Sequence, residues 1–390
     1  MKPANAVLSG YGTTVFETMS RLAGEHDAIN LGQGFPDAGG PPDVLQKAAD
    51  ALVHGNNQYP SMFGLPELRQ AVADHNRRFY GLEVDWQSQV MVTSGATEAL
   101  ADSLLGLIEP GDEVVLIEPL YDCYLPMVRR AGGVPKLVRV EPPDWALPRA
   151  DCEAAFSDRT KLLLLNNPMN PAAKVFSEDE LAFLADLVQR HDAYAVCDEV
   201  YEHLVFDGGD GGRHVPLMTL PGMAERCIRI GSAGKAFSLT GWKVGYLTAA
   251  PELLAPVAKA HQFVTFTTPP NLQAAVAYGL AKDDGYYRDL LDEMRGKRDR
   301  FAAGLREIGF DVLDCEGTYF ITADFRPLGF NGDDEAFCRD ITVNAGVTAV
   351  PFSAFYQAGD VRHYARFCFA KQDTVLDEAL ARLKRHLTPA

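Results

Sequence analysis

Lys235 stands in the run GSAGKAFS, between two apolar stretches that read as strands, RCIRIGS and KVGYLTA. Its neighbours Ala233 and Gly234 leave room for another group to approach the amine. An ordinary lysine titrates near 10.4, so its neutral, nucleophilic form lies roughly 4–5 kcal/mol uphill at pH 7. Chemistry at Lys235 therefore requires a perturbed environment, or storage of the amine as an imine with an aldehyde.

Other chemistry-bearing residues follow other strand-like runs. After QVMVT comes Ser94-Gly95-Ala96-Thr97 at a helix start, where free backbone N–H groups and the helix dipole favour a phosphate. After DEVVLIE comes Tyr121, a ring able to stack. KLLLLNN leads to Asn170-Pro171, AYAVCDE carries Asp198 with Tyr201 three residues on, and RCIRIGS ends in Ser232, followed by Lys235 and Lys243. Singly these are unremarkable, since Asn-Pro is a turn and a lysine usually points into water. Together they supply anion donors, an aromatic face, a carboxylate, a phenol and an amine, the groups needed to hold pyridoxal 5′-phosphate. An ionised Asp198 beside the ring nitrogen would keep it protonated, making the ring an electron sink. Tyr201 and Asn170 could bond the ring's phenolic oxygen.

Positioning these residues requires a covered, largely parallel sheet. Seven apolar runs recur between about 90 and 250, most of them apolar on both faces, and helical patterns separate several of them: TEALADSLLGLI stops at EPGD, and SEDELAFLADLVQRHD opens with a capping box, Ser177 to Glu180. The alternation predicts a doubly wound α/β domain, whose ligand lies beyond the carboxyl ends of the strands. From 272 to 308 the pattern is mostly helical; short strands follow near TYFITADF and HYARFCFA, with a last helix at 372–386. The expected organisation is a large domain over 46–285, a smaller α+β domain over 286–390, and an N-terminal segment, 1–45, packed with the small one. DGGDGG at 207–212 reads as a surface loop.

Composition narrows the function classes. The chain has 390 residues, 47% hydrophobic and 23% charged, with a formal charge of −17 and no basic patch, which disfavours nucleic acid and anionic membrane. No apolar run approaches the ~18 residues of a membrane helix, and no secretion signal is seen, so a cytoplasmic location is expected. Seven scattered cysteines without a C-x-x-C pair argue against disulfides or zinc.

The motif series resembles the class I aminotransferases of pyridoxal-phosphate fold type I, in particular the branch of kynurenine and glutamine transaminases, methionine aminotransferases and some succinyldiaminopimelate aminotransferases. The resemblance rests on INLGQGFPD, NQYPSMFGLPELRQAVA, VTSGATEAL, IEPLYDCYLPM, NNPMNP, CDEVYEHLVFDG, GSAGKAFSLTGWKVGY, GTYF and RFCFAK, in that order. It implies a mostly parallel seven-stranded sheet with a smaller α+β domain, and a homodimer with a shared active site. It implies that Lys235 bonds the cofactor and moves the substrate proton, and that Asp198, Tyr201, Asn170 and Tyr121 contact the ring. Gly95, Ala96, Thr97, Ser232 and Lys243 would form the phosphate cup, with Tyr59 entering from a second subunit. Arg366 would grip the substrate carboxylate by a planar fork, and the Gly34 backbone would approach it. The family often has a glycine after Asn-Pro. Here Ala172-Ala173 follow, and alanine enters positive φ less freely, so a turn of altered shape is expected.

The expected activity is transfer of an amino group from an L-amino acid to a 2-oxo acid. Tyr11, Tyr59, Phe63, Tyr121, Phe266 and Phe352 could line a roomy uncharged pocket, which suggests methionine, glutamine, aromatic or kynurenine-like donors. Succinyldiaminopimelate stays open as a substrate. A carbon–sulfur β-lyase shares the lysine and the fold. Ser232-Ala-Gly-Lys235 also fits S-x-x-K of serine acyl-transfer enzymes, but S-D-N and K-T-G are missing. GYGTTV and GQGFPD lack the last glycine of a dinucleotide fingerprint, and no helix-turn-helix with a basic face is left for a regulator.

Overall fold

The structure is a computed structural model that describes residues 2–37, 39–206 and 212–388. Seven strands form one sheet in the order Val90–Thr93, Gly245–Thr248, Cys227–Ser232, Tyr194–Asp198, Thr160–Asn166, Glu113–Glu118, Val134–Arg139. All run parallel except Gly245–Thr248, which is antiparallel to both neighbours. These are the seven apolar runs, and their composition has a direct cause. Leu162 and Leu164 pack on one face with Val114, Leu116, Ile228 and Ile230, while Leu163 and Leu165 pack on the other with Val115, Ile117, Ala195 and Cys197. With both faces covered, neither parity of the strand can be polar.

Helices flank the sheet where capping chemistry starts them. Gly95–Leu107 follows strand Val90–Thr93 at once, with Gly95 at φ +76°; the Ser94 side chain makes no capping bond there, and the Glu98 carboxylate accepts from the Ser94 N–H instead. Glu178–Arg190 opens with the expected capping box, Ser177 and Glu180 bonding each other's backbone N–H. The stretch expected to be helical over 272–308 is two helices, Pro270–Leu280 and Asp284–Ile308, because the Asp283 carboxylate caps a new start by accepting from Tyr286 N–H at 3.1 Å.

A second, antiparallel sheet holds Val350–Pro351, Tyr364–Cys368, Phe320–Asp324 and Asp311–Val312 in that order. Helices Asp284–Ile308 and Asp373–Leu387 pack on it through Phe301, Leu305, Leu376 and Leu383. The N-terminal residues Met19, Leu22 and Leu31 join that same apolar cluster, and Ile29–Asn30 pairs in parallel with Val347–Thr348. The DGGDGG expectation falls, but for its last residue, outside the described residues. All seven cysteines are free thiols, six of them buried. No helix among the described residues is long and apolar enough to cross a membrane.

One buried ion network bears directly on the strand ends. Arg229, 1% exposed within strand Cys227–Ser232, donates to Glu199 Oε2 at 2.7 Å, to Asn76 Oδ1 at 2.9 Å and to Glu202 Oε2. Tyr80 O–H donates to the same Glu202 oxygen at 2.6 Å, and His214 Nε2 lies 2.9 Å from Glu199 Oε2. Burial, the largest single influence, would raise the Glu202 pKa, but the Arg229 charge together with its other polar neighbours, the Tyr80 hydroxyl among them, outweighs it and holds the carboxyl well below the usual range. Glu199 and Glu202 bracket Tyr201 and directly follow Asp198, so this network sets the course of the loop that carries both. Arg229→Met would strand two carboxylates in the interior, and we expect a loss of about 3–5 kcal/mol in urea unfolding. A midpoint unchanged from wild type would mean that the network holds nothing in place.

Candidate active site

At the carboxyl ends of the parallel strands lies a chamber of about 350 Å³. Gly34, Gly95, Ala96, Thr97, Tyr121, Asn170, Asp198, Tyr201, Ser232, Lys235, Lys243 and Arg366, all singled out in the sequence, line it. The parallel register explains part of this convergence, since Asn166 pairs with Asp198 across adjacent strands.

Asp198 is 5% exposed. Its Oδ2 accepts a hydrogen bond from Tyr124 O–H at 2.7 Å, and its Oδ1 has no partner. Burial pushes this carboxyl up in pKa, against the Tyr124 hydroxyl. A buried carboxylate oxygen left without a donor is costly, so the site suits a ligand that brings a cationic N–H to it. The Lys235 amine donates to Tyr319 Oη at 2.7 Å and to the Gly34 carbonyl at 3.3 Å. Desolvation lowers its pKa from 10.5 to about 8, which makes the neutral amine accessible near neutral pH.

Arg366, 1% exposed, donates to Asn170 Oδ1 at 2.9 Å and to the Gly32 carbonyl at 2.7 Å, and its Nε has no partner. The guanidinium lies 3.9 Å from the Phe320 ring centroid, with Phe355 and Phe16 at 5.0 and 5.1 Å. No carboxylate among the described residues pairs with it. Burial lowers its pKa to about 10, so it remains charged at neutral pH: a caged cation that lacks an anion. Gly34 is required beside it, because a Cβ there would come within 2.7 Å of the Phe320 ring. At the opposite end, Lys243 Nζ would lie 3.1 Å from a Cβ on Gly95, so that glycine admits the ammonium to the helix start. Helix N–H groups and an ammonium together form an anion cup.

The turn after Asn170 settles the question of its missing glycine. Ala173 occupies the left-handed region at φ +59°, buried at 1%, with its N–H bonded to Met169 O at 2.8 Å. The alanine thus takes the conformation a glycine would, at a strain of about 1–2 kcal/mol. The bonds from Glu316 N–H and Gly317 N–H to its carbonyl, each 3.0 Å, hold it there. Asn170 is thereby still delivered to the chamber.

Two named residues are not brought in by this chain. Tyr59, 83% exposed, and Phe266, 40% exposed, pack edge to face on the outer surface at 5.7 Å and do not line the chamber. Of the six aromatic residues read as pocket lining, only Tyr121 lines it. Phe352 is fully buried against Trp145 and Phe355, Phe63 lies under the Arg69 guanidinium, and Tyr11 accepts from Arg129 at the surface. Packing claimed them, which the aromatic residue type alone does not reveal.

Sequence reading missed four contributors. Tyr124, three residues after Tyr121, binds Asp198. Asn166 donates to Asp198 O at 2.9 Å and accepts from Asn170 N–H at 2.7 Å, locking two strand ends together. Tyr319 bonds Lys235 and also donates to Gly34 O at 2.5 Å, and Phe320 carries Arg366. Tyr121 and Tyr124 are three residues apart and Asn166 and Asn170 four, both local signals; the remaining contacts join residues from 32 to 285 positions apart.

Comparison with known proteins agrees with this geometry. The family model for aminotransferase class I and II matches residues 26–383. A probable N-succinyldiaminopimelate aminotransferase of Mycobacterium tuberculosis is 46% identical over 387 residues, covering 96% of each chain. The methionine aminotransferase of Escherichia coli is 38% identical over 374 residues, again covering 96% of each. The solved N-succinyldiaminopimelate aminotransferase structure from Mycobacterium tuberculosis superposes with a TM-score of 0.94, covering 98% of this chain and 99% of that one. With its fold, its buried lysine and acid, and a match through nearly its whole length, the chain belongs to the class I and II aminotransferases, transaminases that use pyridoxal phosphate.

Proposed function

We propose that this transaminase takes the amino group of an L-amino acid with an uncharged side chain, such as methionine, glutamine or an aromatic residue, and passes it to a 2-oxo acid. The observation that carries the reading is the distribution of charge in the chamber. Its cations are Lys235, Lys243 and Arg366, each of which has a task, and what else is ionic is Asp122 and Asp198. No cation is left over for an acidic side chain, whereas Phe16, Tyr121 and Phe320 offer apolar contact.

In this reading Arg366 binds the donor's carboxylate through its fork, held flat by Phe320, and Asn170 fixes the angle of the fork. The Gly95, Ala96 and Thr97 backbone, with Ser232 and Lys243, would hold the phosphate, the partnerless Asp198 Oδ1 would receive the ring N–H, Tyr201 would bond the ring's oxygen, and Tyr121 would cover a face. Bound pyridoxal phosphate supplies an electron sink for the electron pair left at the donor's α-carbon. Lys235 Nζ takes the α-hydrogen as a proton and returns it on the far side of the transfer. It is suited to this because burial keeps its amine basic yet easily neutral.

A second reading has its own support: the identity to the mycobacterial relative, 46%, exceeds the 38% to the methionine enzyme, and favours a succinylated diaminopimelate donor. We further infer a homodimer in which Tyr59 enters the partner's chamber, supported by the exposed Tyr59, Phe263, Val264 and Phe266 on one surface. Boundaries near 45 and 285 divide the chain into the segment and two domains read from sequence, and free thiols throughout accord with a cytoplasmic enzyme.

A panel of amino donors with 2-oxoglutarate, read as glutamate formed, separates these readings. Methionine, glutamine or aromatic donors should lead; a preference for N-succinyldiaminopimelate selects the second reading, and pyruvate with ammonia in place of glutamate would mark a lyase. Lys235→Ala should abolish turnover and the imine absorbance near the visible, while Arg366→Lys should raise KM for every donor by roughly tenfold or more, as a fork becomes a point charge. Because the amine must be neutral to bond an aldehyde, the rate at which apoprotein takes up the cofactor should climb with pH and level off above about 8. A rate still rising steeply at pH 10 would place Lys235 at its ordinary value. Phe263→Asp should shift the protein toward monomer in sedimentation and lower activity with it; a dimer undisturbed by this change would move the interface elsewhere.

A further inference from the structure

His261 lies outside the chamber lining, on helix Pro251–Val264, and is 0% exposed. Its Nδ1 is 3.1 Å from Glu98 Oε1 and 3.4 Å from Asp102 Oδ2, while its Nε2 is 2.9 Å from the Met62 carbonyl oxygen. Glu98 and Asp102 are themselves 8% and 0% exposed. A carbonyl oxygen has no proton to give, so Nε2 must carry one. The nearer acid at Nδ1 is Glu98, whose pKa is held below the ordinary value and which is therefore an acceptor, so Nδ1 carries the other. Burial and the Glu98 charge push the more distant Asp102 up. The ring is an imidazolium. Burial acts to lower its pKa, but the two carboxylates outweigh burial and hold it up at about 9. Those two acids and the Met62 carbonyl are the groups that face it.

This cation is connected to the anion cup. Glu98 Oε2 accepts from the Ser94 N–H, the residue at which helix Gly95–Leu107 begins. Glu98, in the first turn of that helix, directly follows Gly95, Ala96 and Thr97, and Asp102 lies one turn further on, eighth of its thirteen residues. Two carboxylates there oppose a phosphate dianion at the same helix end, where the dipole would otherwise favour it. In a dry interior their field is poorly screened.

We propose that His261 is a positioning residue for the cofactor's phosphate: its imidazolium offsets the charge of Glu98 and Asp102 and, through Glu98, fixes the Ser94–Thr97 turn. This rests on the reading that the turn holds the phosphate. The test is the ratio of the affinities of apoprotein for pyridoxal 5′-phosphate and for pyridoxal, which shares ring and aldehyde but lacks phosphate, measured by quenching of protein fluorescence. The ratio cancels the contribution of Lys235. His261→Gln should lower the ratio roughly tenfold or more, chiefly by weakening the phosphorylated ligand. Adding Asp102→Asn, which removes one negative charge, should restore much of it. In the wild type the ratio should fall as pH rises past about 9 and His261 loses its charge, and the fall should persist in Lys243→Met, where the cup's own ammonium is gone. These measurements need no His261 variant, so a His261→Gln protein that fails to fold does not shield the proposal. An equal loss for both ligands, no recovery with Asp102→Asn, or a wild-type ratio flat through pH 10 would overturn the role of His261 alone. A wild type that does not discriminate between the two ligands would overturn the phosphate turn and His261 together.

Discussion

A charge buried without a partner is costly, and this protein keeps two of them facing one chamber. Asp198 has a carboxylate oxygen with no donor, and Arg366 has a guanidinium with aromatic rings and carbonyls around it but no anion. Left to themselves, opposite charges in a dry cavity would pair. Here they are held apart by separate elements, Asp198 at the end of a strand in the large sheet and Arg366 within a strand of the small one. The unmet demand suits the chamber to a ligand that brings a cationic nitrogen and a carboxylate.

Holding them apart requires rigid supports behind the chamber. Arg229 ties the loop after Asp198 into the sheet through Glu199 and Glu202, and Asn166 ties the ends of adjacent strands to each other. On the small-sheet side, Arg366 and Lys371 bond backbone oxygens of the N-terminal segment at Gly32 and Phe35, so that segment closes the chamber from above Gly34. The His261 cluster does the same behind the anion cup. Arg229, Lys371 and His261 are bound within the protein and lie outside the chamber lining.

Ala173 shows how far this scaffold can override local preference. An isolated alanine avoids the left-handed region, yet the carbonyl of Ala173 is gripped by Glu316 and Gly317, and its N–H by Met169. Three hydrogen bonds and burial outweigh the strain.

The sequence by itself determined the elements and the primary chemical groups. Apolar runs on both strand parities, a capping box at Ser177 and a series of reactive residues after successive strands are local signals, because backbone geometry and burial act within a few residues. They singled out Lys235, Asp198, Asn170 and Tyr201 at strand ends, whereas Arg366 came from the family resemblance alone. Tertiary structure alone decided the rest. That Tyr319 meets Lys235, that Phe320 carries Arg366 and that Arg229 joins Glu199 and Glu202 depends on where distant segments cross. That Phe352 is core while Tyr121 lines the chamber depends on which face the packing left open. Residue type states what a side chain can do; only the assembled surroundings, by excluding water and setting its partners, decide what it does.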